Sequence, residues 1–115
     1  MSQLLNGRIR HTVVFTPEHA PGSEAEADFL AAAAQLESIP GVEAFEILRE
    51  TSPKNAYRFG ISMEFADRAA YVSYNEHPDH VRFVEERWLP EVADFLEIDY
   101  EPSVRFGASH SQGGS

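Results

Sequence analysis

The sequence predicts an α+β domain, a ferredoxin-like βαββαβ protomer whose four-stranded antiparallel sheet carries helices on one face. Three observations predict it. Apolar and polar residues alternate over four short segments. Segments of helical character, each opened by a capping residue, follow the first and the third of them. Only turn-forming residues, Thr51 to Ala56, join the second to the third, so those two pair as an antiparallel hairpin.

Element by element, the pattern is as follows. Ile9 to Thr16 sets Ile9, His11, Val13 and Phe15 on one face and Arg10, Thr12 and Val14 on the other. Pro17 ends this strand. Ser23-Glu-Ala-Glu26 reads as a capping box, with Glu26 reaching back to the cap. The alanine-rich helix after it carries Phe29, Ala33 and Leu36 on one side and stops before Pro40-Gly41. Val42 to Glu50 and Tyr57 to Phe65 are the hairpin strands. Asp67 caps a second helix, from Arg68 to about Glu76. Pro78 cannot donate to the Tyr74 carbonyl, so that helix ends near His77 and a third begins with Pro78 as its first residue. Val81, Val84 and Trp88 form its apolar stripe, and Pro90 predicts a second kink before Val92 and Ala93. The last strand runs from about Leu96 to Tyr100, with Leu96, Ile98 and Tyr100 turned to the core. The open sheet face then shows Arg10, Thr12, Arg58, Ser62, Glu64, Glu97 and Asp99. Such a face stays wet or pairs with its copy, and a homodimer is expected. The domain spans residues 8–102, with flexible termini at 1–7 and 103–115.

Composition narrows the partners. The 115 residues suffice for one domain, and 43% of them are hydrophobic. Nineteen Asp and Glu against nine Lys and Arg leave a net charge of -10. That balance excludes nucleic acid and anionic membrane as partners, since both are held by Lys and Arg clusters. No apolar run approaches the roughly 20 residues that span a bilayer. The N-terminal ten residues lack the apolar core of a secretory signal, and the expectation is a cytoplasmic protein. There is no cysteine, which excludes disulfides, thiolate catalysis and cysteine-ligated metals.

Chemistry must therefore come from histidine and tyrosine. His11 lies on the core face of the first strand, either as a hydrogen-bonded core histidine or as a pocket group. His77 and His80 flank the helix break in Glu76-His-Pro-Asp-His80. Their spacing matches no zinc signature, and no metal or other cofactor is expected. Architecturally, His77 caps the third helix and His80 lies in its first turn. Chemically, the helix N-terminus favours a neutral His80, while Asp79 and Glu76 push the other way. A neutral imidazole facing a pocket is a general base, and Tyr74 offers a phenol as its acid partner. Phe83 and Trp88 read as core aromatics that would also wall such a pocket.

Four stretches together resemble a known family. They are Ile9-Arg-His11-Thr-Val-Val-Phe15, Ile39-Pro-Gly-Val42, Tyr74-x-x-His77-Pro-x-His80-x-x-Phe83 and Asp99-Tyr-Glu101. Over about residues 8–102 the chain resembles the stress-responsive A/B-barrel (Dabb) domain family. The resemblance implies a protomer whose sheet joins its partner's in a dimeric α+β barrel. It also implies a small apolar or aromatic ligand between helices and sheet. A plant branch of the family contains polyketide cyclases that run an aldol condensation without a cofactor. Their acid–base pair matches Tyr74 and His80, a strand histidine of their pocket matches His11, and a further pocket histidine is replaced here by Phe59. Related barrel-fold monooxygenases, some of which bind haem, are an alternative, as is a non-enzymatic structural role in stress. Enzyme and binding protein both stay open at this point.

Overall fold

The computed structural model describes residues 4–103. The expected flexible termini thus fall largely outside the described residues. The elements are β1 (Ile9–Pro17), α1 (Glu24–Ala34), β2 (Glu43–Arg49), β3 (Phe59–Phe65), α2 (Arg68–Glu76), α3 (Pro78–Phe83), a short α4 (Leu89–Glu91) and β4 (Val92–Tyr100). The strands form one antiparallel sheet in the order β2-β3-β1-β4, the ferredoxin-like arrangement. No helix among the described residues is long and apolar enough to cross a membrane.

The helix boundaries follow from their caps. Ser23 Oγ accepts from the Glu26 N–H at 3.2 Å, and Asp67 Oδ1 accepts from the Ala70 N–H at 2.8 Å. The Glu26 carboxylate departs from the expected box. Ser23 gives its own N–H to the Ala20 carbonyl, so Glu26 accepts from Gly22 instead, at 3.0 Å, and binds the Arg58 guanidinium. Arg58 is thus tied to the start of α1 rather than held on the open sheet face. After α1 a 3-10 turn, Gln35–Ser38, tightens the chain into Pro40-Gly41, where Gly41 takes φ 93°.

The core lies between the helices and one sheet face. Phe15, Phe29, Met63, Phe65 and Tyr74 are its fully buried large side chains. Phe15 packs edge-on to Phe29, with ring centroids 6.0 Å apart, and against Trp88 at 4.9 Å. The alternation read from β1 and β3 is present, since both strands bury every second residue.

β4 differs from its prediction in extent and in facing. It begins at Val92, directly after the last helical turn, and Val92 pairs with Pro17. The helix ends one residue after Pro90, so Val92 and Ala93 belong to the strand. The register sets Asp99 opposite His11 and Glu97 opposite Val13. Both carboxylates therefore share the helix-covered side, and Leu96, Ile98 and Tyr100 face outward beside Val14, Thr12 and Arg10. The physical reason lies on that side: Tyr71 of α2 and His11 of β1 supply hydrogen bonds to the inward carboxylates. The outward face is accordingly apolar in part, with Leu48, Leu96, Ile98 and Tyr100 between 37% and 51% exposed. On the same face Arg10 pairs with Glu64 at 2.6 Å.

Glu26 is only 6% exposed, so its pairing matters for stability. Burial by itself raises its pKa, but the Gly22 N–H and Arg58 outweigh burial and hold the carboxyl below the usual range. Glu26→Ala is expected to cost about 2 kcal/mol in urea unfolding. That contribution is present above the carboxyl's unfolded pKa and is lost as pH falls through its lower folded value. A variant as stable as the parent at pH 7 would contradict this account.

Candidate functional site

Between the sheet and α2–α3 lies a cavity of about 280 Å³. β1 places His11 and Val13 on its floor, and β3 adds Ile61 and Met63. α2 delivers Tyr74 from its last turn and α3 delivers His80 from its first. Beyond α3 the helix widens over Val84–Trp88, where the Leu89 N–H reaches back to the Val84 carbonyl. This π-type turn precedes Pro90, which has no N–H to continue a regular ladder, and it presents Trp88 to the cavity. Exposed Leu89 and Phe95 border the cavity, and Phe95 stands edge-on to Trp88 at 5.5 Å.

The helix break sets the chemistry of His80. His77 Nδ1 caps α3 by accepting from the Asp79 N–H at 3.1 Å. That N–H would otherwise bond to the Asn75 carbonyl four residues back. The Asn75 carbonyl instead lies 3.2 Å from His80 Nδ1. A carbonyl only accepts, so Nδ1 carries the hydrogen and a neutral His80 keeps its lone pair on Nε2. Burial lowers the His80 pKa, with the neighbouring His11 acting in the same direction. The Asn75 carbonyl and Glu97 oppose that shift without reversing it. The ring lies 4.4 Å from that of Tyr74, centroid to centroid.

Tyr74 is 1% exposed, yet its hydroxyl makes no hydrogen bond among the described residues. Burial, aided by the charge of Glu97, raises its pKa far above neutrality, so it stays a phenol. A buried hydroxyl without a partner is uncommon and costly. Here it borders the cavity.

A second polar group lies one helical turn earlier. Tyr71 donates its one hydrogen to Asp99 Oδ2 at 2.6 Å, with Glu97 Oε2 at 3.2 Å as the longer arm of a shared bond. His11 Nδ1 is 2.6 Å from Asp99 Oδ1, and the Tyr71 oxygen is 3.0 Å from the same nitrogen. Since the carboxylate accepts, His11 donates through Nδ1, which leaves Nε2 as its remaining ring nitrogen. Burial and the hydrogen bond to Asp99 push the Tyr71 pKa strongly upward. Donor atoms of His11, Glu97 and Asp99 lie within 4.8 Å of one another, a spacing compatible with a metal. Tyr71 and the His11 ring already hydrogen-bond these carboxylates, which leaves Glu97 Oε1 without a partner among the described residues.

Of the residues singled out from sequence, the cavity brings together His11, Tyr74, His80, Phe83 and Trp88. It does not include Phe59 or His77. Phe59 is buried against Phe15, 5.8 Å between centroids, and Ile61 two residues along takes the cavity position on that strand. His77 spends its ring on the cap and borders a shallow outer groove with Ala69 and Val72. Sequence reasoning missed Tyr71, Glu97 and Asp99. The spacing of Tyr71 three residues before Tyr74 was the available signal, because it places both phenols on one helix face.

His80 is expected to titrate below the ordinary 6.5 when followed by NMR at its Cε1. Near and below pH 6.5 the unfolded chain then binds a proton that the folded chain refuses. Stability therefore declines as pH falls from 6.5 toward the folded value, and His80→Gln should remove that part of the decline. Titration at or above 6.5 would contradict the burial argument.

The match to known proteins agrees with this fold. Residues 9–102 match the family model described as the stress responsive A/B barrel domain. A Dabb family protein with a ferredoxin-like fold from Mesorhizobium loti is 61% identical, over 84% of this chain and 98% of that one, with a TM-score of 0.83. A dimeric ferredoxin-like protein from Jannaschia sp. is 25% identical over 84% and 100%, with a TM-score of 0.65. A hydroxynitrile lyase from Passiflora edulis shares the fold at 16% identity, over 89% and 99%, with a TM-score of 0.75. No curated protein matches the chain. The chain belongs to the stress-responsive A/B-barrel domain family.

Proposed function

We propose that this protein binds a small, partly aromatic or apolar molecule bearing an oxygen function in the cavity between helices and sheet. The unpartnered Tyr74 hydroxyl carries the reading. It donates to a ligand oxygen, His80 Nε2 accepts a ligand proton or hydrogen bond, and His11 supplies a third polar contact. Apolar walls from Val13, Ile61, Met63, Phe83 and Trp88 favour a ring or short chain over a polar metabolite. The protein acts as a homodimer, with the outward stripe of Leu48, Leu96, Ile98 and Tyr100 covered by a second copy. Dimeric relatives of the same fold support that assembly.

A second reading adds chemistry to binding, and the lowered pKa of His80 beside a protonated Tyr74 favours it. His80 Nε2 takes a proton from the carbon next to a ligand carbonyl and becomes imidazolium. The electron pair moves onto the carbonyl oxygen, which the Tyr74 hydroxyl stabilises. Aldol-type cyclisation, as in the polyketide cyclases, is one outcome of such an enolate.

Acetophenone is a suitable probe, a single ring carrying one carbonyl. Calorimetric binding is expected to weaken roughly fivefold to tenfold in Tyr74→Phe and in His80→Ala. Unchanged affinity in both would sink the site. In D2O, wild-type protein should accelerate methyl-proton exchange of the probe and His80→Ala should not. Binding without acceleration would remove the proton-transfer reading alone. Sedimentation should give a dimer for the wild type and a monomer for Ile98→Asp, and a monomeric wild type would contradict the assembly.

A further inference from the structure

The cavity has a charge preference that its apolar walls do not explain. Among the described residues Glu97 is its one charged lining side chain apart from the histidines, and no Lys or Arg lines it. Oε2 of Glu97 is held by the Tyr71 hydroxyl at 3.2 Å, whereas Oε1 has no partner among the described residues. Behind it Asp99 holds His11, so a second carboxylate stands at the same end of the cavity. Independently, the buried Tyr74 hydroxyl, without a partner among the described residues, points to a polar group in this space.

We propose that Glu97 determines the charge class of the occupant: a neutral or cationic molecule with a hydrogen-bond donor at the β4 end, and not a carboxylate or phosphate. This rests on the binding reading above and narrows it. An anion placed there meets the half-exposed Glu97 charge at close range, with no Lys or Arg among the described lining residues to offset it. A ligand hydroxyl or ammonium instead satisfies the open Oε1. At the other end its ring packs on Phe83 and Trp88. The chain's overall charge of -10 also repels anions, but weakly and at long range through salt. A single substitution separates the two effects, because it removes the local charge and barely alters the total.

The test compares three probes on one ring, benzyl alcohol, benzylamine and benzoate, by calorimetry on the full chain. Wild-type protein is expected to bind the alcohol and the amine at least about tenfold more tightly than benzoate. Glu97→Gln, which can still accept from Tyr71, should bring benzoate within about threefold of the alcohol and weaken the amine. Glu97→Leu must move the ratio in the same direction. Benzoate binding to wild type as well as the alcohol does, or a ratio unchanged in both variants, overturns the selectivity and leaves the binding reading standing. Failure of all three probes to bind overturns the binding reading, and the selectivity with it.

Discussion

Pro78 has no N–H to give, and helix α2 therefore ends at His77 instead of running on toward Trp88. The consequences reach the cavity through three adjacent groups. His77 turns its ring onto the Asp79 N–H, and the Asn75 carbonyl is thereby released from helix bonding. His80 takes that carbonyl with Nδ1, which settles its tautomer and leaves Nε2 to face other partners. A continuous helix would have spent the same carbonyl on its own ladder and left His80 without that anchor. The His-Pro-Asp-His sequence is thus a device for orienting one imidazole beside one buried phenol.

Around that pair the sheet and the helices divide the work. Aromatic packing of Phe15, Phe29 and Trp88 fills one end of the core, while the end near His11 and Tyr74 keeps open space. The carboxylates of β4 line up beneath that space and are held by Tyr71 and His11. Their inward facing has a cost and a benefit. Apolar Leu96, Ile98 and Tyr100 are turned outward, where only another surface can cover them. The cavity's carboxylates and the outward apolar stripe are therefore linked by the register of a single strand, since a slip of one residue would exchange the two faces.

Much of this was legible in the sequence, and the rest was hidden for a physical reason. Caps at Ser23, Asp67 and His77 depend on local hydrogen bonds, so their residue types were visible in order. β1 and β3 bury one face only, and period two reads them directly. β4 has apolar residues on one side and carboxylates on the other, which ordinarily means apolar inward. That inference failed because Tyr71 and His11 supply hydrogen bonds to the inward carboxylates, which leaves the apolar side of the strand to face outward. Tyr74, His80 and His11 were recognisable from the motif, but their hydrogen-bond states were not. Asn75 acts through its backbone, which no side-chain pattern reveals. Phe59 and His77 lie outside the cavity for the opposite reason, since packing against Phe15 and the α3 cap engage their side chains.

The central claim is that Tyr74 is built for a ligand and not for stability. Replacing it with phenylalanine in ligand-free protein, and measuring urea unfolding, tests this most directly. The ring and its packing remain, and only the buried, unpartnered hydroxyl is lost. Stability is expected to hold or to rise by about 0.5–1 kcal/mol, because a desolvated polar group has been removed. A loss of about 1 kcal/mol or more would show a hydroxyl already bonded within the fold, and would contradict the account.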